Sequence, residues 1–234
     1  MLFSPIKGKQ TRAGWILLFV FLFSCTYAQQ KVSLHMTHKT LNQNKVLTLK
    51  GKMFYDMAEG RLVNHYTSPQ ELITIYNESG ETRIYNPAKN EVRLKQSSML
   101  KSDQMLMALF IRQRTQDLGL KELGFTLKNT EKEGDYLLSF YEANRNKKDK
   151  AVRVKLVHNQ RLPVYTAYFN EEKKTIKKTY YSHYENFQEF VLPLKITEIN
   201  YLPNGDSTIT RRGFSNVKTG RQAKGPDVEY EIPE

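Results

Sequence analysis

His35 and His38 stand three apart in His35-Met36-Thr37-His38, a spacing at which one helical turn would bring both rings to a metal ion. No glutamate lies between them and no third ligand is near, so the pair reads as a solvated helix end with no metal. His65, His158 and His183 fall in separate strand-like segments. Glu171 and Glu172 lead into a lysine run and read as an exposed turn, not an acid/base couple. No Gly-x-Ser-x-Gly, phosphate-binding glycine loop or dinucleotide fingerprint occurs. Nothing here assembles a catalytic centre, so the expectation is a non-enzyme without cofactor.

Binding is therefore the chemistry to look for, and the elements that would shape it come next. Period-2 alternation dominates the chain. It marks strands over 46–55, 62–66, 72–76, 82–85, 91–94, 124–128, 136–141, 151–157, 164–169, 176–184, 194–201 and 208–217. Glu78-Ser79-Gly80, Glu133-Gly134-Asp135, Asn170-Glu171-Glu172 and Pro203-Asn204-Gly205-Asp206 supply turn chemistry between them. Consecutive strands on short turns form an antiparallel meander. One segment differs. Asp103–Leu118 reads as a helix capped by Ser102, with Met105, Leu106, Leu109 and Phe110 on one apolar face and Gly119 as its stop. A weaker helix is expected over about Ser33–Asn44. The fold class is thus mainly β with helices: a long curved antiparallel sheet. So few helices cover such a sheet only in part, so it either curls on itself or leaves an apolar hollow. Residues 219–234 lack periodicity and are expected to be extended or mobile.

The N-terminus reads as an export signal. Lys7, Lys9 and Arg12 precede the apolar run Trp15–Phe23, which is too short to span a bilayer as a helix. Thr26 and Ala28 suit cleavage before Gln29, giving a signal peptide over 1–28. Leu22-Phe23-Ser24-Cys25 competes as a lipidation site, though bulky Phe23 fits it poorly. Cleavage after Ala28 removes the single cysteine and leaves 33 Lys+Arg against 24 Asp+Glu, a net +9. Outside the cytosol such a chain has no disulfide, and its basic excess either is a solvated surface or meets lipid headgroups and anionic envelope polymers, not nucleic acid.

The stretch from His65 to Val92 resembles the periplasmic outer-membrane lipoprotein carriers, the LolA-type family. Pro69, Leu72–Tyr76, Ser79-Gly80, Ile84-Tyr85, Asn86-Pro87 and Val92 carry the likeness. The Met/Leu-rich helix, Leu162-Pro163-Val164-Tyr165 and the closing Phe214–Lys218 follow in the family's order. The resemblance implies one domain over 29–218, an incomplete antiparallel β-barrel with a helical lid over an apolar cavity. It implies a carrier of lipoprotein acyl chains or other lipid between an inner-membrane donor complex and an outer-membrane acceptor. Met105, Leu106, Leu109 and Phe110 would form the lid face, and Tyr66, Ile73, Ile75 and Tyr85 the cavity wall. Two positions depart from the family. Met57-Ala58 stands where many carriers place a cavity-facing arginine, and Ile84 where an aromatic precedes the tyrosine. Two further readings stay open: a Cys25-lipidated outer-membrane protein of the same superfamily, and a closed-core β-rich envelope interaction protein. The mature chain is expected to begin at Gln29 by intact mass; a diacylated Cys25 at the N-terminus would contradict this.

Overall fold

The computed structural model describes residues 31–43, 45–144, 151–187 and 189–223. The expectations for the signal peptide, for Cys25 and for the last eleven residues lie outside these. Strands β1 (Lys31–Asn42), β2 (Lys45–Asp56), β3 (Arg61–Ser68), β4 (Leu72–Tyr76), β5 (Glu81–Asn86) and β6 (Glu91–Gln96) form one meander. Helix α1 (Leu106–Ile111) follows. Strands β7 (Phe125–Glu133), β8 (Tyr136–Ala143), β9 (Arg153–Asn159), β10 (Leu162–Phe169), β11 (Thr175–Phe187), β12 (Phe190–Tyr201) and β13 (Ser207–Thr219) form a second. The two meanders are joined because β1 pairs antiparallel with β13, giving one 13-stranded sheet whose free edges are β6 and β7.

This topology sends residues 97–124 from one edge of the sheet to the other. Arg112 of that segment reaches Tyr55 on β2, and the Thr115 carbonyl accepts from His158 on β9 at 3.0 Å. Those strands are six places apart, about 29 Å on a flat sheet. Buried side chains of β2, β9, β11 and β12 meet those of the segment in one cluster. The sheet therefore curls around the segment, and its covered side is called the inner face here. It remains open, as an incomplete barrel.

The segment 31–42 corrects the sequence reading. It is strand β1, not a helix. Val32, Leu34 and Met36 alternate inward and are buried, with period 2. Its partners are β2 and the distant β13, so pairing far along the chain overrides a weak local pattern. His35 and His38 consequently lie on opposite faces of a strand, where they cannot share a metal ion.

The predicted helix over Asp103–Leu118 also shortens, to six residues. It stops at Arg112, not at Gly119. Gln113 takes φ +56°, and the N–H groups of Gln113 and Arg114 return to the carbonyls of Phe110 and Leu109 at 3.0 and 2.7 Å. That is a Schellman stop with glutamine in the left-handed position. A helix this short is held by burial, since five of its six side chains are buried.

The main core lies on the inner face, and a second, smaller cluster lies on the outer face of β2–β5. Residues after Lys218 contribute to the latter. Gly220–Gln222 form a 3-10 turn and Ala223 is fully buried against Phe54, Val63, Ile73 and Tyr85. At Gly51 strands β2 and β3 approach so closely that an added Cβ would meet the His65 carbonyl and lie 2.8 Å from the Tyr66 Cα. Gly51→Val is expected to cost about 1–3 kcal/mol of stability, measured by urea unfolding. An unchanged midpoint would contradict this packing.

Candidate functional site

Alternation decides which side chains can meet on the inner face. On β2 and β3 it turns Met53, Tyr55 and Leu62 inward, and on β12 Leu192 and Ile196. All are buried beneath α1, whose Met107, Phe110 and Ile111 pack into the same cluster. Phe110 stacks at tilted angles on Tyr181 and Tyr184, with ring centroids 5.8 and 6.2 Å away. Burial pushes the Tyr181 and Tyr184 hydroxyls well above the ordinary tyrosine range, so both stay neutral.

The eight residues singled out from the sequence divide between two sides. Met105 and Leu106 are half-buried at the margin of the inner cluster, Phe110 is within it, and Leu109 is buried on the same helix. Tyr66 is half-buried on the inner face. Ile73, Ile75 and Tyr85 belong to the outer cluster with Phe54 and Val63. They do not face the helix. Leu72-Ile73-Thr74-Ile75-Tyr76 is mostly apolar on both sides, so period-2 reading cannot tell which side is inner.

Besides the burial of its side chains, the segment carrying α1 makes polar contacts that the sequence reading missed. Arg112 donates from Nε to the Tyr55 hydroxyl, and from Nη2 to the Met57 carbonyl at 3.3 Å and to Glu78 Oε1 at 2.6 Å. Its guanidinium also lies 5.6 Å from the centre of the Tyr55 ring. Ser102 donates to the Gly60 carbonyl, Gln113 to that of Glu189, and Arg114 pairs with Asp103 and Glu122. The β2–β3 turn that receives Arg112 is shaped by buried Asp56. Its carboxylate accepts from the Ala58 and Glu59 N–H groups at 3.0 and 3.2 Å and pairs with Lys31 at 3.0 Å. Met57 itself packs against the core. Thus a cation does meet this turn, but it comes from the crossing segment.

Toward the β12–β13 hairpin the inner face turns polar. Glu198 is held by Lys177 at 2.8 Å and Arg212 at 3.3 Å, and Asn200 donates to it at 3.0 Å. Burial alone would raise its pKa; the two cations outweigh that and hold it down to about 2. His38 sits beside Arg212, and burial followed by that charge lowers its pKa to about 4. The ring is neutral at physiological pH. The inner face is thus apolar under α1 and ionic beyond it. Among the described residues, no group of three His, Cys, Asp or Glu is arranged to hold a metal ion.

No protein-family profile and no curated protein sequence matches the chain. Solved structures do. A LolA superfamily protein from Nitrosomonas europaea aligns with TM-score 0.55 at 11% identity, over 82% of this chain and 87% of that one. A lipoprotein-sorting domain of the outer membrane class from Vibrio parahaemolyticus aligns with TM-score 0.57 at 11% identity, over 84% and 88%. A DUF1329 family protein from Desulfovibrio piger gives 0.54 at 15%, over 86% and 90%. The fold is the LolA-type fold.

In this LolA-type fold, Arg112 ties the crossing segment to β2 and the β4–β5 turn. Replacing it removes charge-assisted hydrogen bonds, each worth about 1.5–3 kcal/mol. Arg112→Met is expected to speed hydrogen exchange of the amides in 106–114 by about tenfold or more, with the sheet amides unchanged. Equal protection in both proteins would show that Arg112 does not fasten the segment.

Proposed function

We propose that the protein is an exported carrier that shelters the acyl chains of a lipoprotein or lipid on the inner face of its sheet. The segment bearing α1 serves as the lid. The observation that carries this reading is the division of labour in that segment. Its apolar side chains fill the inner face, while polar contacts tie it to the sheet just past the helix, at Arg112 and Thr115. Once those bonds break and an apolar ligand replaces the buried side chains, the segment can leave a sheet that is paired strand to strand without it.

Magnitudes support exchange over permanent closure. The four large buried side chains of α1 and the Ala108 methyl contribute of the order of 7–13 kcal/mol by leaving water. A sixteen-carbon acyl chain gains about 0.8 kcal/mol per apolar carbon beyond its carbonyl, near 12 kcal/mol in all. One chain roughly offsets the helix, and a multiply acylated ligand exceeds it. Handover then requires a partner that offers a comparable apolar site, as an inner-membrane donor and an outer-membrane acceptor would. The likeness to a LolA superfamily protein and to a lipoprotein-sorting domain supports this assignment and a periplasmic location. The work is carriage without catalysis.

Leu109 is 3% exposed on α1. A carboxylate buried at this position is costly, so Leu109→Glu is expected to drive the lid off the sheet. The variant should keep its β-type circular dichroism and lose at least tenfold in affinity for a fluorescent fatty-acyl probe. Global unfolding of the variant would make the helix plain core. Undiminished probe binding by a folded variant would remove the lid role.

A further inference from the structure

The outer face of the sheet carries a second pattern. Over β2–β5 that face is closed by Ala223. From β2 through β1, β13, β12, β11 and β10 to β9 it is basic. The registers align Lys50, Thr37, Gly213 and Lys195 in one row across the strands, and Lys39, Arg211, Thr197 and Tyr180 in the next. A third row runs from Leu41 through Ile209, Ile199, Lys178 and Ala167 to Lys155. No Asp or Glu stands in these rows. Lys39, Lys50, Lys195 and Arg211 are exposed, and none of the six cations takes part in a salt bridge among the described residues. The carboxylate that these strands do carry between the rows, Glu198, points to the inner side.

A merely solvated surface intersperses both signs. Here Lys39 stands directly opposite Arg211, a like-charge cross-strand pair that destabilises the sheet unless an anion lies against it. Beside this face project two neighbouring hairpin tips. Val46 is 65% exposed, Leu47 51% and Leu41 40% at the β1–β2 tip, with Tyr201 at 37% and Leu202 at 36% at the β12–β13 tip. The tips adjoin, since Leu41 pairs with both Val46 and Ile209. A soluble polyanion would use the cations and leave these apolar side chains in water. A bilayer uses both: cations at the headgroup phosphates and apolar tips at the acyl boundary.

We propose that this basic outer face and the two hairpin tips dock the protein on an anionic phospholipid surface. Docking then leaves the inner face uncovered and turned away from the bilayer, open to a partner that delivers or takes up ligand. The orientation is independent of how the ligand is held, because the two functions occupy opposite sides of one sheet.

The test is co-sedimentation of the full mature chain with vesicles of phosphatidylglycerol and phosphatidylcholine, against pure phosphatidylcholine and against soluble polyglutamate. Binding is expected to the mixed vesicles, to fall steeply with salt, and to weaken at least a hundredfold in Lys39→Glu/Lys195→Glu/Arg211→Glu. The tip variant Val46→Ser/Leu47→Ser is expected to bind about tenfold more weakly while its salt dependence persists. Both variants should bind the acyl probe normally, and Leu109→Glu should still bind vesicles, so loss of docking and loss of carriage are separable. Equal binding to neutral vesicles, or indifference to charge reversal, overturns the proposal. Strong binding to polyglutamate with no effect of the tip variant assigns the face to acidic polymers and overturns it as well.

Discussion

The pairing of the first strand with the last is the constraint on which the rest depends. Because β1 hydrogen-bonds to β13, the first and last strands meet in the interior of the sheet and the free edges fall at β6 and β7, in mid-sequence. The connection between those edges has to cross a face. An apolar crossing segment makes that face a core, and a sheet that curls around the segment makes it a concavity. A half-barrel with one covered side is thus a consequence of connectivity before it is a consequence of any ligand.

Once the crossing is required, its attachment determines what the molecule can do. A segment packed by apolar contacts and also woven into the sheet would be permanent. Here the sheet is complete without it, and α1 ends abruptly at a left-handed Gln113 that aims the following residues across the face. Arg112 then spans two strands' worth of turn, touching the Tyr55 hydroxyl, the Met57 carbonyl and Glu78. The Glu198–Lys177–Arg212 group lies on the same face but away from the helix, so the apolar and ionic parts of the interior are kept separate. Charge is expensive beside hydrocarbon, and this segregation leaves the region under α1 free of it.

Much of this was legible in the residues. Alternation located every strand after β1, and the block from Pro69 to Val92 pointed to the LolA-type fold that the structural comparisons display. What failed did so for physical reasons. Lys31–Asn42 pairs with a strand nearly the whole chain away, and no local pattern reports that. The helix stop at Gln113 was invisible because glutamine is not the residue expected in a left-handed cap. Ile73, Ile75 and Tyr85 were grouped with Tyr66 because strand β4 is apolar on both sides, and only the packing of Ala223 shows that one of those sides faces outward. Arg112 fell inside a stretch read as a longer helix, where a polar residue signals solvent and not an anchor.

The central claim is that the inner face holds acyl chains beneath a removable segment. Native mass spectrometry of the mature protein, purified without detergent and incubated with a synthetic acylated lipopeptide, addresses it directly. The account predicts a saturating complex of one lipopeptide per chain that is absent with the unacylated peptide. A chain that stays ligand-free at every lipopeptide concentration, or that binds the unacylated peptide equally well, would contradict it.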